Sequence, residues 1–158
     1  MFHLPSKREN DVNKPKRRYI LNEINTRVQK IISENNEPVI LLGDFNENPD
    51  DELLEGFLLD SNYQTVLENP FINLFRKQHF STFHYRNGLL FDQILLSEHF
   101  NTEKSVLEFS EAKVFAHQKI LNWDKKFRGR PFRTYAGTRY LGGYSDHFPV
   151  LVKFETYK

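Results

Sequence analysis

Three short stretches carry side chains whose chemistry could combine. Asp44 and Asn46 follow an apolar run (residues 39–42) that stops at Gly43. Asp92 interrupts the otherwise apolar segment 89–96, and Asp146-His147 follows the pair Gly142-Gly143. A carboxylate among apolar neighbours is costly unless it is paired or hydrogen-bonded. The other reading of Asp92 is an acid at a strand start whose side chain reaches water. Imidazole is a suitable partner, because a carboxylate that accepts its N–H fixes the tautomer and stabilises the imidazolium. Asp44, Asn46, Asp92, Asp146 and His147 together would suit a divalent, oxygen-preferring cation and a phosphate ester.

The surrounding pattern predicts elements that could bring these groups together. Residues 39–42 are four consecutive apolar residues bounded by Pro38 and Gly43, the mark of a buried strand. Open α/β sheets place ligands at the carboxyl ends of such strands. Upstream, Ile20, Leu21, Ile24, Val28, Ile31 and Ile32 recur at helical spacing and predict an amphipathic helix over 19–35, ended by the residues before Pro38. Residues 1–18 read as a solvated, mobile basic terminus. Asp50, Asp51 and Glu52 read as capping residues of a second helix with Leu53, Leu54, Phe57 and Leu58 buried. Residues 60–80 read as loop with a short helix near Leu74-Phe75. Residues 81–85 and 89–96 form a hairpin around Arg86-Asn87-Gly88, and 105–115 forms another strand. Residues 117–143 read as a long loop with some helix early, and 148–154 alternates as a final strand.

Composition limits the classes available. The chain has 158 residues, enough for one domain with a real core, and 15 Phe and 7 Tyr to build it. Its net charge is +1, but residues 34–60 carry nine acids and no Lys or Arg, whereas 113–140 carries eight Lys or Arg and only Asp124. Such blocks are either a metal-dependent phosphate site beside its anion contacts or two solvated surfaces of opposite sign. With no cysteine, disulfides and thiolate metal sites are excluded. No run approaches a membrane span, and the first residues lack a signal-peptide core, so the default compartment is cytoplasmic.

Gly43-Asp44-Phe45-Asn46, then Phe91-Asp92-Gln93-Ile94-Leu95-Leu96-Ser97, then Ser145-Asp146-His147 resemble motifs of the endonuclease/exonuclease/phosphatase superfamily in order and spacing. The opening His3-Leu4-Pro5-Ser6 resembles its His-x-x-Ser segment. The resemblance implies that Asp44 orients or deprotonates the attacking water and that Asn46 holds this water or a phosphate oxygen. Asp92 would orient His147, and His147 would contact the phosphate and stabilise its developing charge. Asp146 would be a metal ligand for Mg²⁺ or Mn²⁺, and His3 a second phosphate-facing imidazole assisting the leaving oxygen. Arg128, Arg130, Arg133, Arg139 and Tyr140, just before Asp146-His147, would form a substrate-contacting loop for nucleic acid or another phosphodiester.

The resemblance also implies a fold: half of a four-layered α/β/β/α sandwich, with a mixed, mostly antiparallel sheet and helices on one face. The chain reads as a single, N-terminally truncated domain of this kind. The family's first half supplies an asparagine and a metal-binding glutamate that Glu9 and Glu23 do not replace. This predicts an apolar sheet face meeting a separate first half or a second copy, and little turnover by the chain alone. Three functions follow: a nuclease-like phosphodiesterase, a sugar- or lipid-phosphate phosphatase, or a catalytically incomplete interaction module.

Overall fold

The structure, a computed structural model, describes residues 1–101 and 106–156. Its central sheet has the strand order β1-β2-β6-β3. β1 (Phe2–His3) runs parallel to β2 (Ile40–Asp44), while β6 (Asp92–Ser97) is antiparallel to both β2 and β3 (Leu67–Glu68). A second ribbon pairs β7 (Leu107–Val114) with β10 (Val150–Thr156), and a hairpin joins β4 (Thr82–His84) to β5 (Asn87–Leu89). Ser105, the start of the predicted 105–115 strand, lies outside the described residues.

Alternation along β6 explains the two cores. Leu95 faces the long helix α2 (Lys14–Asn35) and the short α3 (Glu52–Phe57), where Leu21, Val28, Phe45, Leu54 and Phe57 are buried. Ile94 and Leu96 point the other way, toward Phe71, Phe100, Val114 and Phe148. α4 (Ile72–Arg76) contributes Leu74 and Phe75 to that second cluster. Cross-strand from Leu96 and Ile94, Ile40 and Leu42 are 40% and 36% exposed, so the second face of β2 is only partly covered.

The first eighteen residues are not a mobile terminus. β1 joins the sheet, Leu4 is buried, and α2 begins at Lys14, earlier than apolar periodicity alone predicts. The periodicity missed this turn because its inward residue is an arginine. Arg17 is fully buried and donates to Glu47 (2.8 Å), to the Pro5 carbonyl (3.1 Å) and to Asp11 (2.6 Å). Lys7 completes the network against Glu47 (2.6 Å) and Asp51 (2.7 Å). Asp51 therefore does not cap α3 through its side chain. Its carboxylate accepts from Lys7 and from the Asn48 N–H at 2.6 Å.

The predicted 89–96 strand also divides. Residues 87–89 pair with β4, Leu90 and Phe91 cross over, and a new strand begins at Asp92. Gln93 holds the break: fully buried, its amide donates to the carbonyls of Glu47 (2.7 Å) and Leu90 (2.9 Å) and accepts from Asn69 (2.7 Å). Asp92 is thus a strand-start residue. The 117–143 stretch is mostly loop, with a 3₁₀ turn at Gln118–Ile120 and a small ribbon of β8 (Tyr135–Ala136) and β9 (Arg139–Tyr140).

Candidate active site

Sheet register alone sets His3, Asp44 and Asp92 in one row. His3 pairs with Asp44 across β1 and β2, and Asp44 pairs with Asp92 across β2 and β6. The close approach of β1 requires Gly43, because a Cβ there would lie 2.0 Å from the Phe2 carbonyl oxygen. Beyond β2, the Asp44 carboxylate accepts the Asn46 N–H at 2.8 Å, closing a turn in which Asn46 adopts φ 50°. Asparagine tolerates that left-handed conformation better than most residues. The Asn46 side-chain amide turns inward onto the Leu4 carbonyl (2.9 Å), tying the chain after His3 to the loop after Asp44.

His147 arrives from the opposite side. It bridges to Thr82 of β4, the Phe148 N–H donates to the Ser81 carbonyl (2.7 Å), and Thr82 Oγ1 donates to the Asp146 carbonyl (2.9 Å). These bonds set the His147 Nδ1 2.6 Å from Asp92 Oδ2, both side chains being mostly buried. His3 Nε2 stands 3.4 Å from Asp44 Oδ2 but is 71% exposed. Ligand atoms of Asp44, Asp92 and His147 all fall within 4.8 Å of one another. They line or adjoin a cleft of about 1150 Å³ that His3, Asn46, Lys7 and Asp146 also border.

The row is electrostatically tense. Burial pushes the Asp44 carboxyl above its ordinary 3.8, and the Asp92 charge adds to this against the Asn46 N–H, His147 and His3. For His147 burial acts downward. The hydrogen bond that His147 donates to Asp92 and the charges of Asp92, Asp44 and Asp146 outweigh it and hold its pKa above the ordinary 6.5.

The sequence-predicted residues thus divide. His3, Asp44, Asn46, Asp146 and His147 border one cleft, with Asp92 behind His147. Asp146 is exposed at the rim, and its carboxylate stands outside the Asp44–Asp92–His147 group. Arg130 and Arg133 border a second cavity, of about 470 Å³, that shares Thr82, Phe83, His84 and Asp146 with the first. Arg128, Arg139 and Tyr140 are exposed and border neither. Sequence reading missed Arg17, Glu47, Lys7 and Gln93, which hold the loops carrying the site. Arg17 sits three and four residues ahead of the first apolar positions of α2, and that spacing was the available signal.

A model described as the Endonuclease/Exonuclease/phosphatase family matches residues 1–156. No curated protein sequence matches. Among solved structures, the human Nocturnin catalytic domain with bound sulfate is similar over 98% of this chain and 45% of its own, with TM-score 0.55 and 20% identity. A mannosyl-6-phosphatase of Bacteroides thetaiotaomicron VPI-5482 is similar over 91% and 47%, with TM-score 0.52 and 18% identity. Truncated Caenorhabditis elegans TDP2 is similar over 96% and 51%, with TM-score 0.53 and 18% identity. The chain spans about half the length of each of these. With those structures sharing its fold and a family model matching almost from end to end, the chain belongs to the endonuclease/exonuclease/phosphatase family.

Proposed function

We propose that the cleft hydrolyses phosphate esters with the help of a divalent cation, and that phosphodiesters of nucleic-acid type are the first class to test. The observation that carries this reading is the convergence of Asp44, Asp92 and His147 within 4.8 Å at the cleft floor. The two carboxylates are the oxygen donors that Mg²⁺ or Mn²⁺ prefers, and His147 stands beside them as a hydrogen-bond donor. Asp146 at the rim, directly or through water, and the Asp92 carboxylate would hold the ion, with Asp44 beside it. When bound, the ion supplies positive charge against the phosphate oxygens.

The remaining chemistry belongs to the chain. Asp44, with its affinity for a proton raised by burial, is the group that orients an attacking water and takes its proton. His147, kept protonated by Asp92, donates to a phosphoryl oxygen as charge develops there. His3, exposed beside Asp44, faces the substrate from β1 and can donate to the leaving oxygen. Asn46 offers its side-chain oxygen to the cleft, its amide being held by Leu4.

The test is phosphate-ester hydrolysis by the purified chain in Mg²⁺. The substrates are single- and double-stranded DNA, bis(p-nitrophenyl) phosphate, and monoesters including glucose 6-phosphate and an inositol phosphate. We expect weak turnover, in keeping with a chain that spans about half the length of its structural relatives, that is lost on chelation and in Asp44→Ala. Preference for the monoesters would move the reading to a phosphatase. Absence of turnover on the whole series, with the fold intact, would overturn it in favour of an interaction module.

A further inference from the structure

The second cavity, which shares the β4 residues Thr82, Phe83 and His84 with the cleft, is not explained by hydrolysis. Its two cations differ in what they do. The Arg130 guanidinium lies over the rings of Phe83 (5.0 Å) and Phe127 (5.7 Å) and donates to the Tyr85 carbonyl, so it builds the wall. Arg133 is half-buried and has no hydrogen bond or ion pair among the described residues.

Arg133 is nevertheless held on a fixed backbone. Leu141 and Tyr144 donate to the carbonyls of Thr134 and Phe132 at 2.8 Å each. Gly143 packs so tightly on this segment that a Cβ would lie 2.0 Å from the Phe132 oxygen and 2.6 Å from the Arg133 oxygen. A cation on a hydrogen-bonded loop, bordering a cavity where Asp146 is the one acid among the described residues, is placed to receive an anion. Asp146 borders both cavities and Arg133 only the second. An anionic group is therefore disfavoured at the junction and favoured beyond it. The apolar lining between, including Phe83 and Leu141, suits a sugar or base ring.

We propose that this cavity is a second anion subsite, anchored by Arg133, which selects phosphate esters carrying a further phosphate across one ring-sized spacer. The proposal rests on the reading of the neighbouring cleft as a phosphate-ester site. Such a ligand could be a nucleotide or a sugar bisphosphate, and paired probes separate them. Binding of thymidine 3′,5′-bisphosphate against thymidine 5′-monophosphate, and of glucose 1,6-bisphosphate against glucose 6-phosphate, is measured by calorimetry in Ca²⁺ buffer, with no turnover needed.

In at least one pair we expect the bisphosphate to bind tenfold or more tightly, the pair identifying the source. Arg133→Gln should bring that ratio near one, and Arg133→Lys, which keeps the charge, should retain part of it. Equal affinity within both pairs, no binding of any probe, or a ratio unchanged in folded Arg133→Gln overturns the proposal. Phosphate release in Mg²⁺ is read separately, so a tenfold ratio without turnover rejects hydrolysis at the cleft while the subsite stands.

Discussion

Asp44 and His147 are both shifted toward holding a proton, yet this has opposite meanings for the two. A carboxyl whose folded value lies above its ordinary 3.8 takes up protons on folding, so its contribution to stability falls as pH rises through that interval. At neutral pH the charged Asp44, crowded by Asp92, is a cost to the fold. Asp44→Asn keeps an acceptor for the Asn46 N–H and removes the charge. We expect it to melt higher, by roughly 2–4 °C for each kcal/mol relieved, while losing hydrolysis. Scanning calorimetry beside the rate assay checks both, and a lower melting point would contradict the strain. His147 behaves in the reverse sense. Its raised value makes a stabilising contribution that is complete below its ordinary 6.5 and fades as pH rises through the folded value. Asp92→Asn keeps an acceptor for the His147 Nδ1–H but removes the nearest charge, so the His147 imidazole should titrate at lower pH, read directly by NMR of the six histidines. An unchanged titration would mean that Asp92 does not set the protonation state.

At the level of elements, the question is what keeps β1 in the sheet, since it has only two residues and carries His3. Part of the answer is Gly43. Gly43→Ala would drive a methyl into the Phe2 carbonyl and should push β1 away. The Leu4 N–H, which donates to the Asp44 carbonyl at 2.9 Å, should then exchange with solvent much faster while the β6 amides stay protected. The other part is the Arg17 network. Arg17→Met strands Glu47 as a buried charge held only by Lys7, at a cost of about 3–5 kcal/mol. Adding Glu47→Gln should return part of that loss in urea unfolding. These elements also show what the sequence could and could not disclose. α2 and β10 carry apolar periodicity and β2 a bounded apolar run, and both patterns are visible in a single chain. The placement of residues 1–18 rests on a buried cation and on carbonyl contacts, whose partners lie tens of residues away. The break between Leu89 and Asp92 is set by Gln93, a polar residue in an apolar run, which pattern reading averages into one strand. At the site, Asp44, Asp92 and His147 were legible because their neighbours form motifs. The division of the basic loop was not, because whether an arginine stacks on Phe83 or stays unpaired is decided by tertiary contact.

For the molecule as a whole, the asymmetry of charge takes on a spatial sense. Acids from 34–60 supply Asp44 and Glu47, and the basic 113–140 loop supplies Arg130 and Arg133 across β4. Phosphate-ligand affinity should therefore fall with added salt, and fall less steeply in Arg133→Gln. No helix among the described residues is long and apolar enough to cross a membrane. Ile40 and Leu42 are partly exposed on the second face of β2. The row of site residues has one more effect. His3, Asp44, Asp92 and His147 are drawn from the beginning, the first third, the middle and the end of the chain, and meet through sheet register, the His3–Asp44 contact and the His147–Asp92 hydrogen bond. Contacts so distant in sequence form late and slowly. A nascent chain thus exposes no working cleft until its last strand is in place, and refolding followed by the His147 resonance should trail the helical signal of α2.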